Sequence, residues 1–351
     1  MRESVHNGIA DGDSVVEMSG VCKTFRQRQR SEQLTDVLRN LLKPTYREVH
    51  ALQAIDLAIR RGEIVAYAGA NGAGKSTTIK LLSGMLWPDA GRICVLGMDP
   101  ARERTRYVGR IGVVFGQRTE LWNDHPIAAS FEWKRVVWDI PRDRYDRMLG
   151  AVKEMLGLHE FFQTMARELS LGQRMRADLG LALLHEPEVL FLDEPTLGMD
   201  VLARRNMLRF IKEINRKNRV TVMVTSHDMS ELEQLAGRIV MISHGRIAYD
   251  GDFDRLRREF VDRRTLQIET GRDAAPTLED ALWVSSEAGR HTYQFDAACT
   301  GVAALLAQAT AQGPVLDVET QRAPIDDVIA DIYERWQREK ALAGLSSVRG
   351  E

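Results

Sequence analysis

Cysteine is scarce in this chain: Cys22, Cys94 and Cys299 are its three copies, widely scattered and with no Cys-x-x-Cys among them. That spacing excludes a disulfide framework and a cysteine zinc site, and it points to a reducing cytoplasm. Long apolar runs are missing too, since no stretch approaches the roughly eighteen uncharged apolar residues of a membrane span. The opening Met1-Arg2-Glu3-Ser4-Val5-His6 lacks the apolar core of a signal peptide, so neither spanning nor export is expected. Nor is there an excess of one charge. Lys and Arg number 48 against 50 Asp and Glu, a formal net charge of −2, so there is no basic field to hold a nucleic acid. What remains is globular: 351 residues, 44% hydrophobic and 28% charged, suffice for one domain of ordinary size and an appendage.

Against that background one motif stands out. Gly69, Ala70, Asn71, Gly72, Ala73, Gly74, Lys75 and Ser76 fit the phosphate loop G-x-x-x-x-G-K-[ST], and the run Ile64-Val65-Ala66-Tyr67-Ala68 supplies the strand that must precede it. The chemistry dictates these residue types. Glycines let backbone N–H groups close around phosphates, Lys75 neutralises the β/γ charge, and the Ser76 hydroxyl reaches a magnesium ion. A helix beginning at Lys75-Ser76-Thr77 points its positive end at the anion, so these residues through Thr77 are the expected nucleotide contacts.

Downstream, Val189-Leu190-Phe191-Leu192 ends in Asp193-Glu194, as expected of a buried parallel strand whose carboxyl end faces a ligand. Asp193 is the expected magnesium carboxylate, and Glu194 the base that polarises an attacking water. Between the two motifs, Leu169-Ser170-Leu171-Gly172-Gln173-Arg174 opens a helix on which Met175, Leu179, Ala182 and Leu183 recur at helical spacing.

Leu-Ser-x-Gly-Gln some twenty residues before Asp-Glu resembles the signature of the ATP-binding-cassette (ABC) ATPases, and the other landmarks of that family follow in order. Gln117, in Val113-Val114-Phe115-Gly116-Gln117, resembles the Q-loop glutamine that senses magnesium and water. Asp200, in Leu197-Gly198-Met199-Asp200, resembles the D-loop acid. His227, after Val220-Thr221-Val222-Met223-Val224, resembles the switch histidine on the γ-phosphate. The resemblance implies an α/β P-loop NTPase cassette with a RecA-like core, an antiparallel β subdomain and a helical subdomain. It also implies ATP and Mg2+ as ligands, and a sandwich dimer in which Ser170, Gly172 and Gln173 of one copy cap the nucleotide of the other. Leu171 stands where that signature commonly has glycine, and Ala70 where the loop often has proline. For the adenine platform, position after the strand-like Val15 to Thr24 favours Phe25 and sequence distance to the loop favours Tyr46; Phe25 is preferred.

The stretches Gly112 to Arg118 and Leu169 to Arg176 resemble, within the family, the ATPase subunits of bacterial ABC-2-type transporters. That implies a cytoplasmic chain at the inner membrane face, separate ABC-2-type permease subunits as partners, outward transport, a second cassette as homodimer or related heterodimer, and no nucleic acid. A soluble cassette acting on nucleic acid or the ribosome is the rival. It is disfavoured because the chain has one phosphate loop, about a hundred residues between half-motifs and no heptad run.

The organisation expected is a polar N-terminus over 1–14, a cassette over 15–250, and a small α+β appendage over 251–351. Within the cassette, 26–47 reads as an insertion. It carries a leucine stripe (Leu34, Val37, Leu38, Leu41, Leu42) and a basic flank, suited to a membrane face or a partner helix, or to burial on its own domain. Residues 118–168 read as the helical subdomain, where Trp122, Trp133 and Trp138 cluster and subdomain core is expected for two of the three. In the appendage, strands at 265–270, 292–295 and 315–319 bracket a helix at 302–311, and Ile325, Val328, Ile329, Ile332 and Trp336 line one face of a last helix.

Overall fold

The computed structural model describes residues 14–28, 46–116, 118–260, 263–272, 274–297 and 299–322, and then 325, 326, 328–330, 332, 333 and 336. The inserted leucine stripe and Gln117 therefore lie outside the described residues. Contacts divide the chain into two units, one reaching His227 and resuming over Glu231–Asp250, the other made of Asp228–Ser230 and everything from Gly251 onward.

The first unit is built on a six-stranded sheet of β3 (Ile64–Gly69), β5 (Ile111–Phe115), β6 (Val189–Asp193), β7 (Thr221–Thr225), β8 (Arg238–Ser243) and β9 (Arg246–Gly251). Their order is β5-β6-β7-β3-β8-β9. The pairs from β5 to β8 are parallel, so the carboxyl ends of β3, β5, β6 and β7 gather along one edge of the sheet, where ligands of such folds bind. All five residues of β6 and of β7 are buried. This is why both read as short uncharged runs without alternation. The β8–β9 hairpin turns through His244 (φ 49°) and Gly245 (φ 75°), a left-handed pair matched to strand twist.

A second sheet packs β1 (Ser14–Arg28) between β2 (Tyr46–Arg60) and β4 (Ala90–Val95), all antiparallel. Val16, Val21, Leu52 and Ile55 from it share one core with Tyr67, Ile79 and Phe191. The ladder continues past the expected strand end through Phe25↔Val49, Arg26↔Glu48, Gln27↔Arg47 and Arg28↔Tyr46. Residues 26–28 and 46–47, read as insertion, are thus strand. Backbone pairing with a complementary Arg26–Glu48 ion pair (3.4 Å) extends the hairpin through Arg26, Gln27, Arg47 and Glu48, exposed polar residues that give no hydrophobic alternation.

Helices α1 (Lys75–Leu82) and α2 (Arg104–Val108) lead to a helical region of α3 (Ile127–Val137), α4 (Arg142–Leu156) and α5 (Leu171–Leu183). These pack closely at Gly180, where an added Cβ would fall 2.6 Å from Val152 Cγ1 and 3.2 Å from Phe131. Trp122 and Trp133 are not core: they are 38% and 44% exposed and lie against one another, ring centroids 5.4 Å apart. Phe131, Val152 and Leu158 fill the interior instead. The unit is completed by α6 (Val201–Asn218), with α7 (Met229–Leu235) following β7.

The second unit holds helix α8 (Phe253–Phe260), α9 (Val302–Gln312) and an antiparallel sheet. Its strands are β10 (Arg263–Glu269), β11 (Ala281–Glu287), β12 (Arg290–Asp296) and β13 (Asp317–Arg322), in the order β11-β12-β10-β13. Leu266, Ile268, Tyr293, Phe295, Leu305 and Ala309 make its core, and Ile325, Val328, Ile329 and Ile332 are buried as well. Strand β11 is absent from the sequence reading. It is an edge strand with a register shift between Trp283 and Ser285, so its exposed Leu282, Trp283 and Val284 show no alternation.

Candidate nucleotide site

The phosphate loop joins buried β3 to α1, and its backbone explains its glycines. Gly72 (φ 78°) and Gly74 (φ 118°) take left-handed conformations. At Gly74 an added Cβ would stand 2.7 Å from both the Ala51 carbonyl and Leu52 Cδ2, so the loop is pressed onto β2. Gly74 precedes the first turn of α1 without a side-chain cap, leaving the N–H groups of that turn for an anion. Lys75 is buried (6% exposed), with Nζ 2.5 Å from the Gly69 carbonyl and 3.3 Å from that of Ala70. Burial pushes its ammonium below the ordinary lysine range, against the opposing pull of Glu194 and Asp193.

At the end of β6 the Asp193 carboxylate accepts from Thr225 Oγ1 at 2.7 Å. Glu194 follows with φ 57°, left-handed for a non-glycine residue, held by its N–H donating to Thr225 O and Oγ1, both 3.1 Å. That conformation costs about 1–3 kcal/mol and marks a place where geometry serves something other than stability. Here it turns the Glu194 side chain to His227, Oε1 to Nε2 2.6 Å. A cleft of about 110 Å³ opens between these groups and α1, lined by Ser76, Lys80, Met85, Phe115, Gly116, Arg118, Asp193 and Glu194. Ser76 thus joins Asp193, Glu194 and, through Glu194, His227 at one place.

The signature residues sit on another element. Ser170 caps α5: its Oγ accepts from Gln173 N (3.2 Å) while Gln173 Oε1 accepts from Ser170 N (2.9 Å). Gln173 is therefore engaged locally, and the N–H groups of Leu171 and Gly172 are those at the free helix start. Gly172 is buried beside Met199, and Leu171 leans on Gly198, whose added Cβ would meet Leu171 Cδ2 at 2.4 Å. Asp200 caps α6 by accepting from Ala203 N at 2.8 Å.

Phe25 is 37% exposed on β1 opposite Val49, with the Lys23 ammonium 5.8 Å from its ring centroid. Tyr46, 57% exposed, lies three rungs farther along the same hairpin.

Two groups of this unit went unread in the sequence, Asp178 and His185. Burial raises the Asp178 carboxyl to about 7, although Thr119 Oγ1 (2.8 Å) and Glu120 N (3.1 Å) donate to it. Burial and then the Lys134 charge lower His185 to about 4, its Nε2 2.7 Å from the Ile111 carbonyl and its ring stacked on Trp138 at 4.6 Å. Asp178 follows Arg174 and Arg176 within α5 and His185 lies in the turn after it, positions that sequence spacing reads as surface.

The family model described as "ABC transporter" matches residues 52–197, from the strand under the phosphate loop to the loop after Glu194. These residues are those of an ABC transporter ATP-binding cassette domain. A second model, "AAA domain, putative AbiEii toxin, Type IV TA system", matches residues 163–233, the part of the cassette from the signature to α7. The ABC transporter ATP-binding protein NatA of Bacillus subtilis is 28% identical over 223 residues, 64% of this chain and 90% of NatA. The probable multidrug ABC transporter ATP-binding protein YbhF of Escherichia coli is 34% identical over 232 residues, 66% of this chain but 38% of YbhF. A solved ATP-binding subunit of an ABC transporter shares the cassette fold, with a TM-score of 0.58 at 23% identity over 70% of this chain and 93% of that one.

Proposed function

We propose that this cassette is the ATP-hydrolysing subunit of a transporter whose membrane-spanning part is a separate ABC-2-type permease, and that it drives substrate outward. The observation that carries the hydrolytic reading is the Glu194–His227 contact of 2.6 Å, with Glu194 lining one cleft together with Ser76 and Asp193. No helix among the described residues is long and apolar enough to cross a membrane; in this reading the substrate path lies in the permease.

Lys75 and the N–H groups at the start of α1 bind the β/γ-phosphates. The Ser76 hydroxyl and the Asp193 carboxylate, both at the cleft, are hard oxygen donors that fit Mg2+ alongside phosphate oxygens and water. When bound, that ion neutralises charge developing on the phosphates. Glu194 accepts a proton from the attacking water, and His227 holds its carboxylate in position. The Gln117 role in this step rests on the resemblance alone.

Strand register supports Phe25 as the adenine platform. The phosphate loop touches β2 at Ala51 and Leu52; Phe25 sits across from Val49, two residues or about 7 Å away along the strand, whereas Tyr46 is five residues or about 17 Å away. In a pair of cassettes, the Ser170 hydroxyl and the N–H groups of Leu171 and Gly172 serve the nucleotide of the second copy, with Asp200 shaping the junction from the start of α6.

Affinity purification of the tagged chain from solubilised membranes tests the assignment. Recovery of one polytopic permease in stoichiometric amount is the expected result. Recovery of ribosomes or nucleic acid instead would move the chain to the rival class.

A further inference from the structure

Behind the nucleotide cleft, one buried carboxylate ties together three segments of the first unit. Glu231, on α7, is 5% exposed and lines no part of the cleft itself. Its Oε2 accepts from Thr196 Oγ1 at 2.6 Å and from Ser226 Oγ at 3.2 Å. Arg204 Nε stands 2.7 Å from Oε1, an ion pair whose angle falls short of a hydrogen bond. Thr196 and Ser226 are buried as well.

Each partner belongs to a segment of the site. Thr196 lies in the turn after Glu194, where Leu197 N donates to Glu194 O at 3.2 Å. Ser226 directly precedes His227. Arg204 closes the first turn of α6, its N–H donating to Asp200 O at 2.9 Å. One side chain thus meets the segment of Glu194, the segment of His227 and the helix that Asp200 caps.

Stability alone does not call for a carboxylate here. A buried charge loses its hydration, and a buried ion pair is often no more stable than apolar packing of equal volume; a satisfied polar cluster adds one fixed geometry. The geometry at issue is the 2.6 Å between Glu194 Oε1 and His227 Nε2. Both residues lie past the ends of their strands, which stop at Asp193 and Thr225, so the sheet ladder alone does not set that distance.

We propose that Glu231 is a positioning residue for ATP hydrolysis. By holding Thr196 and Ser226 on one oxygen it fixes the separation of Glu194 and His227, while Arg204 balances its charge. It acts through those two residues and touches no reacting atom. This inference rests on the hydrolytic reading of the cleft.

Phosphate release by the full chain tests it in a double-mutant cycle. Glu231→Ala should lower kcat about tenfold or more while the KM for ATP moves less than about threefold. Glu231→Gln, which still offers Thr196 and Ser226 one oxygen, should restore part of the loss. In a His227→Ala background the same Glu231→Ala change should cost less than about threefold, because the contact it maintains is already gone. Equal losses in the two backgrounds, or a raised KM at unchanged kcat, overturn the proposal, since a general structural role acts alike with and without His227. Should Glu231→Ala fail to fold, Ser226→Ala carries the same cycle: it should lower kcat about threefold or more with His227 present and less than about twofold without it, and equal losses refute the proposal. Glu194→Gln is the control for the underlying reading. Unchanged phosphate release there overturns the hydrolytic reading and this inference with it, whereas loss there combined with equal Glu231→Ala losses overturns this inference alone.

Discussion

Glu194 Oε1 and His227 Nε2 lie 2.6 Å apart although 33 positions separate them in sequence, because β6 and β7 are adjacent parallel strands that deliver both residues to one sheet edge. Glu194 makes this contact while holding a left-handed φ of 57°, its N–H donating to Thr225 O and Oγ1. His227→Ala should therefore lower kcat about 10²-fold or more through loss of the base's orientation. The KM for ATP should move less than threefold in the same steady-state assay. A rise in KM at constant kcat would instead make His227 a binding residue.

Lys75→Ala should weaken ATP binding by about 1.5–3 kcal/mol, tenfold to somewhat over a hundredfold, since a buried charge-assisted contact to phosphate is lost. Isothermal titration with the wild-type chain as reference measures it, and an unchanged Kd would remove Lys75 from the phosphate site.

The phosphate loop was legible in the sequence because its glycines meet backbone demands that no other residue meets. Gly74→Ala should cost about 2–4 kcal/mol, from a left-handed backbone and a Cβ 2.7 Å from the Ala51 carbonyl. Gly150→Ala, inside α4 with nothing within 4 Å of the added atom, should be neutral or stabilising by up to about 1 kcal/mol. Equal denaturant midpoints for the two variants would contradict the reading of the loop.

Other features were not legible, for identifiable reasons. Asp193-Glu194, by contrast, was legible, because it ends an uncharged run whose burial showed in the letters. Asp178 and Trp133 sit on helical faces where periodicity does not distinguish a buried carboxyl from a solvated one, or a groove wall from a core. Strand β11 carries Leu282, Trp283 and Val284 consecutively, and its register shift destroys the alternation by which a strand is recognised.

Asp178 and His185 give opposite pH slopes. The carboxyl is raised to about 7 in the folded chain, so its contribution is fully present below the unfolded value near 4 and is lost as pH rises through 7. His185 is lowered to about 4, so its contribution is present above the unfolded value near 6.5 and is lost as pH falls through 4. Between about pH 4 and 6.5 the two offset one another in the wild-type chain. Asp178→Asn, which keeps an acceptor for Thr119 and Glu120, should leave the His185 slope alone: Tm should fall as the pH is lowered across that window and rise relative to wild type above pH 7. Melting curves at pH 4.5, 6 and 8 check this, and parallel wild-type and variant profiles would contradict it.

The most direct measurement compares ATP binding with phosphate release in Glu194→Gln. The amide keeps the size of the side chain but cannot accept the proton of the attacking water. The variant should bind ATP within about threefold of the wild-type Kd while phosphate release falls by about 10²-fold or more. Phosphate release near the wild-type rate, with binding intact, would show that Glu194 is not the base and that the chemistry assigned to this strand end is wrong.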